Sequence, residues 1–136
     1  MPRDLCDPAH PESWLQYARS DLTLASIEPP QGVLLDSLCH HAQQAVEKAL
    51  IAVLVALRVD FPPTHNLKIL VELLPDGVPV PELILQAVSL TPYAVSSRYP
   101  DALGRVTDPA ELEEALMLAR FVVEWAEDLV VSTRTR

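Results

Sequence analysis

The placement of proline constrains this chain more than any other feature. Its 13 prolines fall mainly between apolar stretches, dividing the sequence into segments whose hydrophobic residues recur every three to four positions. Strand-like alternation over four to eight residues is hard to find. The pattern predicts an all-α protein, an up-and-down helical bundle of four to five helices.

The first helix is expected over about Glu12–Ile27, with Trp14, Ala18, Leu22 and Ala25 on the inward stripe and Gln16, Arg19, Ser20 and Thr23 outward. Pro29-Pro30 stops it. The second, about Val33–Leu57, is the longest apolar segment. Its outer face carries Asp36, His40, Gln43, Gln44 and Glu47, then Ile51 and Val55, so its C-terminal half is apolar nearly all round and must be central or covered by a partner. Thr64 is the expected N-cap of a short helix bearing Leu67, Ile69, Leu70, Leu73 and Leu74, which Pro75-Asp76-Gly77 ends. A fourth segment starts near Pro81-Glu82 and meets Thr91-Pro92, read as an N-cap and first helical position, so it is bent or restarted there. Asp108 and Pro109 open the last helix, which runs to about Val131 with Glu111, Glu113 and Glu114 near its positive end. Two adjoining apolar stripes leave it only a narrow polar strip of Glu113, Arg120, Glu124 and Glu127, again the mark of a central or interfacial helix. Residues 1–136 read as one domain with its core at about 12–131 and loose tails at Met1–Pro11 and Ser132–Arg136.

Composition excludes several functions. With 49% hydrophobic and 21% charged residues the chain has ample material for a packed interior. Its three glycines, Gly32, Gly77 and Gly104, stand alone and cannot build a dinucleotide or P-loop turn. Two cysteines, Cys6 and Cys39, make no disulfide framework, and Met1-Pro2-Arg3-Asp4 begins no apolar signal core, so a cytoplasmic, reducing compartment is expected. The longest apolar run, Ala49–Leu57, is nine residues, against the roughly 20 that span a bilayer, so no membrane is expected. Nineteen acids against 10 bases give a net charge of −9, which disfavours a protein that coats nucleic acid broadly. The acidic excess is 3 over residues 1–31 and 4 over 101–136, leaving the middle nearly neutral and open to a small anion pocket.

Three polar clusters stand in or near that middle. Cys39-His40-His41 suggests a metal, but adjacent helical residues point about 100° apart and neither histidine has a His, Asp or Glu at i+3 or i+4. Packing and hydrogen bonding are therefore expected there, with no metal and no cofactor. Arg58, His65 and Lys68 surround a proline-rich turn, where a histidine to move protons and an arginine to hold a phosphate suit catalysis. The competing reading has Arg58 at the C-terminal dipole of the second helix, His65 in a first helical turn and Lys68 simply solvated. Ser96-Ser97-Arg98-Tyr99-Pro100-Asp101 is either a binding loop or a helix stop in which Arg98 caps carbonyls and pairs with Asp101.

Leu38-Cys39-His40-His41-Ala42-Gln43-Gln44-Ala45-Val46-Glu47-Lys48-Ala49-Leu50, then Phe61-Pro62-Pro63-Thr64-His65-Asn66-Leu67, then Leu90-Thr91-Pro92-Tyr93-Ala94-Val95-Ser96-Ser97-Arg98-Tyr99-Pro100, resembles the HEPN domain family in order and spacing. The likeness runs from about Trp14 to Asp128. It implies a small prokaryotic helical protein, commonly a homodimer, often paired with a minimal nucleotidyltransferase in a toxin–antitoxin or nucleotide-handling module. Many members are metal-independent endoribonucleases using an Arg and a His about four to six residues apart. Here no histidine follows Arg98, and Arg58 and His65, with six residues between them, straddle an interhelical turn. The resemblance thus implies an accessory protein that binds a nucleotide, RNA or a nucleotidyltransferase, with nucleotide contacts at Arg98, Tyr99, His65 and His41. The alternatives are an endoribonuclease drawing on His65, Arg58 or Arg98, and a purely structural interaction module.

Overall fold

The longest apolar segment becomes the central helix. In the computed structural model, which describes residues 7–95, 100 and 105–134, the element order is α1 (Pro11–Ser26), α2 (Leu35–Ala56), α3 (Leu67–Glu72), α4 (Glu82–Ala87), a 3₁₀ helix (Val88–Ala94) and α5 (Pro109–Arg134). No strand occurs among the described residues. Six consecutive residues of α2, Ala49 to Leu54, are buried, so every azimuth of this stretch faces protein. α1 and α5 both pack on α2, and Trp14 meets Phe61 edge-on, ring centres 6.4 Å apart, where both rings pack against the core.

α1 and α5 are antiparallel. Glu12 pairs with Arg134, Arg19 with Glu127 at 3.0 Å, and Ser26 with Arg120 at 3.5 Å, a regular register along both helices. α3, α4 and the 3₁₀ helix carry the chain back from the end of α2 to the start of α5, in place of a third long helix, completing the up-and-down bundle. The second apolar stripe of α5 packs against α4 and the turn before it, where Trp125 Nε1 donates to the Pro79 carbonyl at 3.3 Å. The apolar half of α2 is therefore covered within one chain, whereas Phe121, Trp125 and Leu129 of α5 are only half-buried and Met117 and Val131 are exposed.

Side-chain caps fix the starts of α3 and α5, and three features depart from the sequence reading. At α5 the Asp108 carboxylate accepts from Glu111 N–H at 2.8 Å and Glu111 reaches back to Asp108 N–H at 3.4 Å, a capping box. The N-cap of α3 is Asn66, which accepts from Lys68 N–H at 3.0 Å, while Thr64 accepts from Asn66 N–H one step earlier. Thr91 starts no new helix. It lies inside the 3₁₀ helix, donates to the Val88 carbonyl at 2.8 Å and accepts from Leu67 N–H at 3.2 Å, satisfying an orphan donor of α3 that lies 24 residues away. α5 also continues past Val131 to Arg134, held there by the pairing with Glu12. No helix among the described residues is long and apolar enough to cross a membrane.

Candidate functional site

Six polar residues of α2, His40, His41, Gln43, Gln44, Glu47 and Lys48, share an arc of roughly 160° at 100° per residue. The sequence reading set Gln43 and Glu47 outward. The structure buries them at 0% and 7% exposure, because the 57–66 connection and the 3₁₀ helix lie over this arc and present backbone carbonyls that need donors.

Each side of the arc is built around a carboxylate. Toward α3, Glu47 Oε1 accepts from His65 Nδ1 at 2.9 Å and from Gln43 Nε2 at 3.2 Å. Gln43 also donates to the His65 carbonyl at 3.3 Å and accepts from Gln44 at 2.6 Å. Toward α1, Asp21 uses both oxygens, Oδ1 accepting from His41 Nδ1 at 2.9 Å and Oδ2 from Lys48 Nζ at 2.6 Å. Asp21 is 8% exposed and lies on the stripe of Ala18 and Ala25 that α1 turns inward, so an acid sits where the sequence reading expected only apolar contact. Between the two sides, His40 Nδ1 donates to the Tyr93 carbonyl at 2.8 Å, and the His40 and His41 rings meet edge-on with centres 5.6 Å apart.

The acceptor in all three histidine contacts is an oxygen without a hydrogen, which assigns the proton to Nδ1 and leaves Nε2 for another partner. His65 is 58% exposed at its side chain, so its Nε2 is available at the surface while Glu47 fixes the ring from below. A carboxylate-oriented imidazole of this kind can accept a proton from a hydroxyl or, when protonated, donate to a phosphate.

A cavity of about 250 Å³ opens between α1 and α2 beside Asp21, lined by Gln16, Tyr17, Ser20, Asp21 and Lys48. The Lys48 ammonium lies 5.7 Å from the centre of the Tyr17 ring. At the far end of the arc, Tyr93 donates its hydroxyl to Glu111 at 3.2 Å. Burial, reinforced by the neighbouring Asp36 carboxylate, pushes the Cys39 thiol up to about 11; burial likewise pushes Tyr93 up to about 12, with Cys39 and Glu111 adding to it. Neither group is an acid or base at neutral pH.

Of the residues singled out in sequence, the structure brings His41 and His65 to the two sides of one helix face. Arg98 and Tyr99 lie outside the described residues. Arg58 has a different task. Its φ of +59° makes it the left-handed residue of a Schellman stop, with Arg58 N–H on Val55 O at 3.1 Å and Val59 N–H on Leu54 O at 2.9 Å. Among the described residues no hydrogen bond links it to His65. Lys68 is exposed on α3. Sequence reasoning passed over Tyr17, Asp21 and Lys48, and took Glu47 for a surface acid. The one signal available was Asp21 itself, an acid at i+3 from Ala18 and i−4 from Ala25 on the buried stripe.

The HEPN domain family model matches residues 11–129. No curated protein matches the chain. Among solved structures, the crystal structure of an archaeal HEPN homologue is similar to this chain, with a TM-score of 0.67 and 23% identity, covering 89% of this chain and 98% of the other. At that identity the likeness speaks for the fold, and it agrees with the bundle built above from helix periods and caps. The family match spans nearly the whole helical core, from the first residue of α1 to the last turns of α5, and on that ground the chain belongs to the HEPN domain family.

Proposed function

We propose that this protein is a non-catalytic HEPN module that binds a phosphate-bearing ligand, a nucleotide or an RNA end. The observation that supports this reading is the polar arc of α2, where His41 and Lys48 share one buried carboxylate, Asp21, and a second, Glu47, holds His65. Groups fixed in this way lose little freedom on binding, and the three together offer donors to phosphate and acceptors to ribose hydroxyls. The family resemblance extends the proposal to a homodimer that works with a minimal nucleotidyltransferase in a toxin–antitoxin-type module. Arg98 and Tyr99 are further proposed contacts. The test is calorimetric titration of the purified protein with AMP, ATP, GTP and short single-stranded RNA, together with light scattering for the dimer. Saturable binding that weakens in His41→Ala and His65→Ala is expected. Absence of binding by every ligand at millimolar concentration overturns the proposal.

One observation favours a second reading. His65 has an exposed ring oriented by a buried carboxylate, the arrangement of a general base, so endoribonuclease activity is worth assaying on tRNA and mixed RNA. Metal-independent cleavage that His65→Ala abolishes supports it, and intact RNA after prolonged incubation removes it.

A further inference from the structure

We infer that the cavity between α1 and α2 is a subsite for one unit of single-stranded RNA, with a base stacked on Tyr17 and a singly charged phosphodiester on Lys48. The inference rests on the nucleotide-binding reading above and gives it a place and a charge preference. Tyr17 is 54% exposed, with the Lys48 ammonium 5.7 Å from its ring centre. Base stacking on an exposed aromatic beside a cation is the common element of sequence-tolerant single-strand binding.

The hydrogen-bonding capacity of the cavity fits a phosphodiester. Lys48 spends one of its three N–H groups on Asp21, and the Gln16 amide and Ser20 hydroxyl, both exposed, form no hydrogen bond among the described residues. Side chains with donors from three residues therefore line one cavity. Its volume of about 250 Å³ equals that of roughly eight waters, room for a base or for a phosphate with its sugar.

Charge selects further. Lys48, already paired with Asp21, is the one cation among the described residues lining the cavity, and the whole chain carries −9, so each negative charge on a ligand beyond the first meets repulsion that no second lining cation offsets. A diester with one charge is favoured over a monophosphate with nearly two or a triphosphate with about four.

The experiment compares the ribodinucleotide ApA with AMP and ATP on the full chain, by calorimetry and by salt titration. ApA is expected to bind more tightly than AMP, and AMP more tightly than ATP. With one charged contact, ApA affinity should fall as salt is raised. Tyr17→Ala should weaken ApA by roughly fivefold to a hundredfold, Tyr17→Phe should bind like wild type, and Lys48→Met should flatten the salt dependence. Circular dichroism checks that each variant is folded, and Tyr17, being exposed, tests the site even if Lys48→Met is destabilised. Tighter binding of ATP than ApA, or unchanged ApA binding in Tyr17→Ala, overturns the inference. If nucleotides bind, are indifferent to Tyr17 and Lys48, and depend on His65, the broader reading stands and this subsite falls. If none binds to wild type, both fall together.

Discussion

Gln43 gives the sharpest test of the idea that the polar face of α2 is structural as well as functional. The side chain is 0% exposed and makes three hydrogen bonds, donating to Glu47 Oε1 and the His65 carbonyl and accepting from Gln44. Gln43→Leu removes all three at nearly constant volume. The bond to a buried carboxylate is worth about 1.5 kcal/mol and the one to the carbonyl about 1 kcal/mol; Gln44, half-exposed, recovers most of its loss from water. The extra apolar contact of leucine offsets about 0.5 to 1 kcal/mol. The net cost is about 2 kcal/mol, seen in urea unfolding as a lower midpoint at unchanged slope, or as a melting temperature lower by roughly 6–10 °C. Gln43→Glu supplies the control. It keeps the shape but sets a second carboxylate against Glu47, so its deficit should be large at pH 7 and shrink near pH 4, where a protonated carboxyl again donates. A Gln43→Leu variant within about 0.5 kcal/mol of wild type, or a Gln43→Glu deficit that ignores pH, would refute the network as a source of stability.

Arg58→Gly should stabilise the protein by about 0.5–1 kcal/mol, since glycine occupies the φ of +59° without the Cβ penalty, while nucleotide affinity stays unchanged; a lower melting temperature refutes the Schellman assignment. Cys39, in a Cys6→Ser background, should react with iodoacetamide at pH 8 at least ~100-fold more slowly in the native protein than after denaturation, as only about one thiol in a thousand is ionised when the pKa is about 11. The same shift makes a pH prediction. The folded state holds this proton more tightly than the unfolded chain, so the contribution is intact below pH 9.0 and lost as pH rises through about 11, and Cys39→Ala should flatten that part of the stability profile relative to wild type. Asp108→Ala opens the capping box and should cost about 1 kcal/mol in thermal unfolding, whereas Asp108→Asn should cost only a few tenths; equal losses in both would argue against the cap.

Much of the architecture was legible because it depends on local rules. Helical periodicity and proline placement located five helices, and Asp108-Pro109 with Glu111 marked the start of α5. The all-apolar half of α2 announced a central helix, and Ala49–Leu54 are buried within one chain. The site was less legible for a reason that also concerns local rules. Periodicity treats a polar residue as an outward one, yet Gln43 and Glu47 are buried because backbone carbonyls from a distant connection need donors there. Nothing in residues 43–47 encodes where His65 lies, and Thr91 serves an N–H that is 24 residues away. Arg58 was legible in part: one of its two sequence readings put it at the C-terminal end of the second helix, and the backbone uses it there, in a left-handed conformation, to end that helix.

The sequence alone determined the helical class, the isolation of each glycine, the acidic ends with a nearly neutral middle, and, through three ordered motifs, the resemblance to a family. These are properties of composition and of spacing along one chain, where neighbours are known in advance. The tertiary structure decided which polar residues meet: His41 with Asp21 and Lys48, His65 with Glu47 and Gln43, and Tyr17 with Lys48 at the rim of a cavity. Those pairings span 18 to 31 positions or join different helices, and they form because a buried charge or carbonyl must find a partner wherever packing happens to bring one.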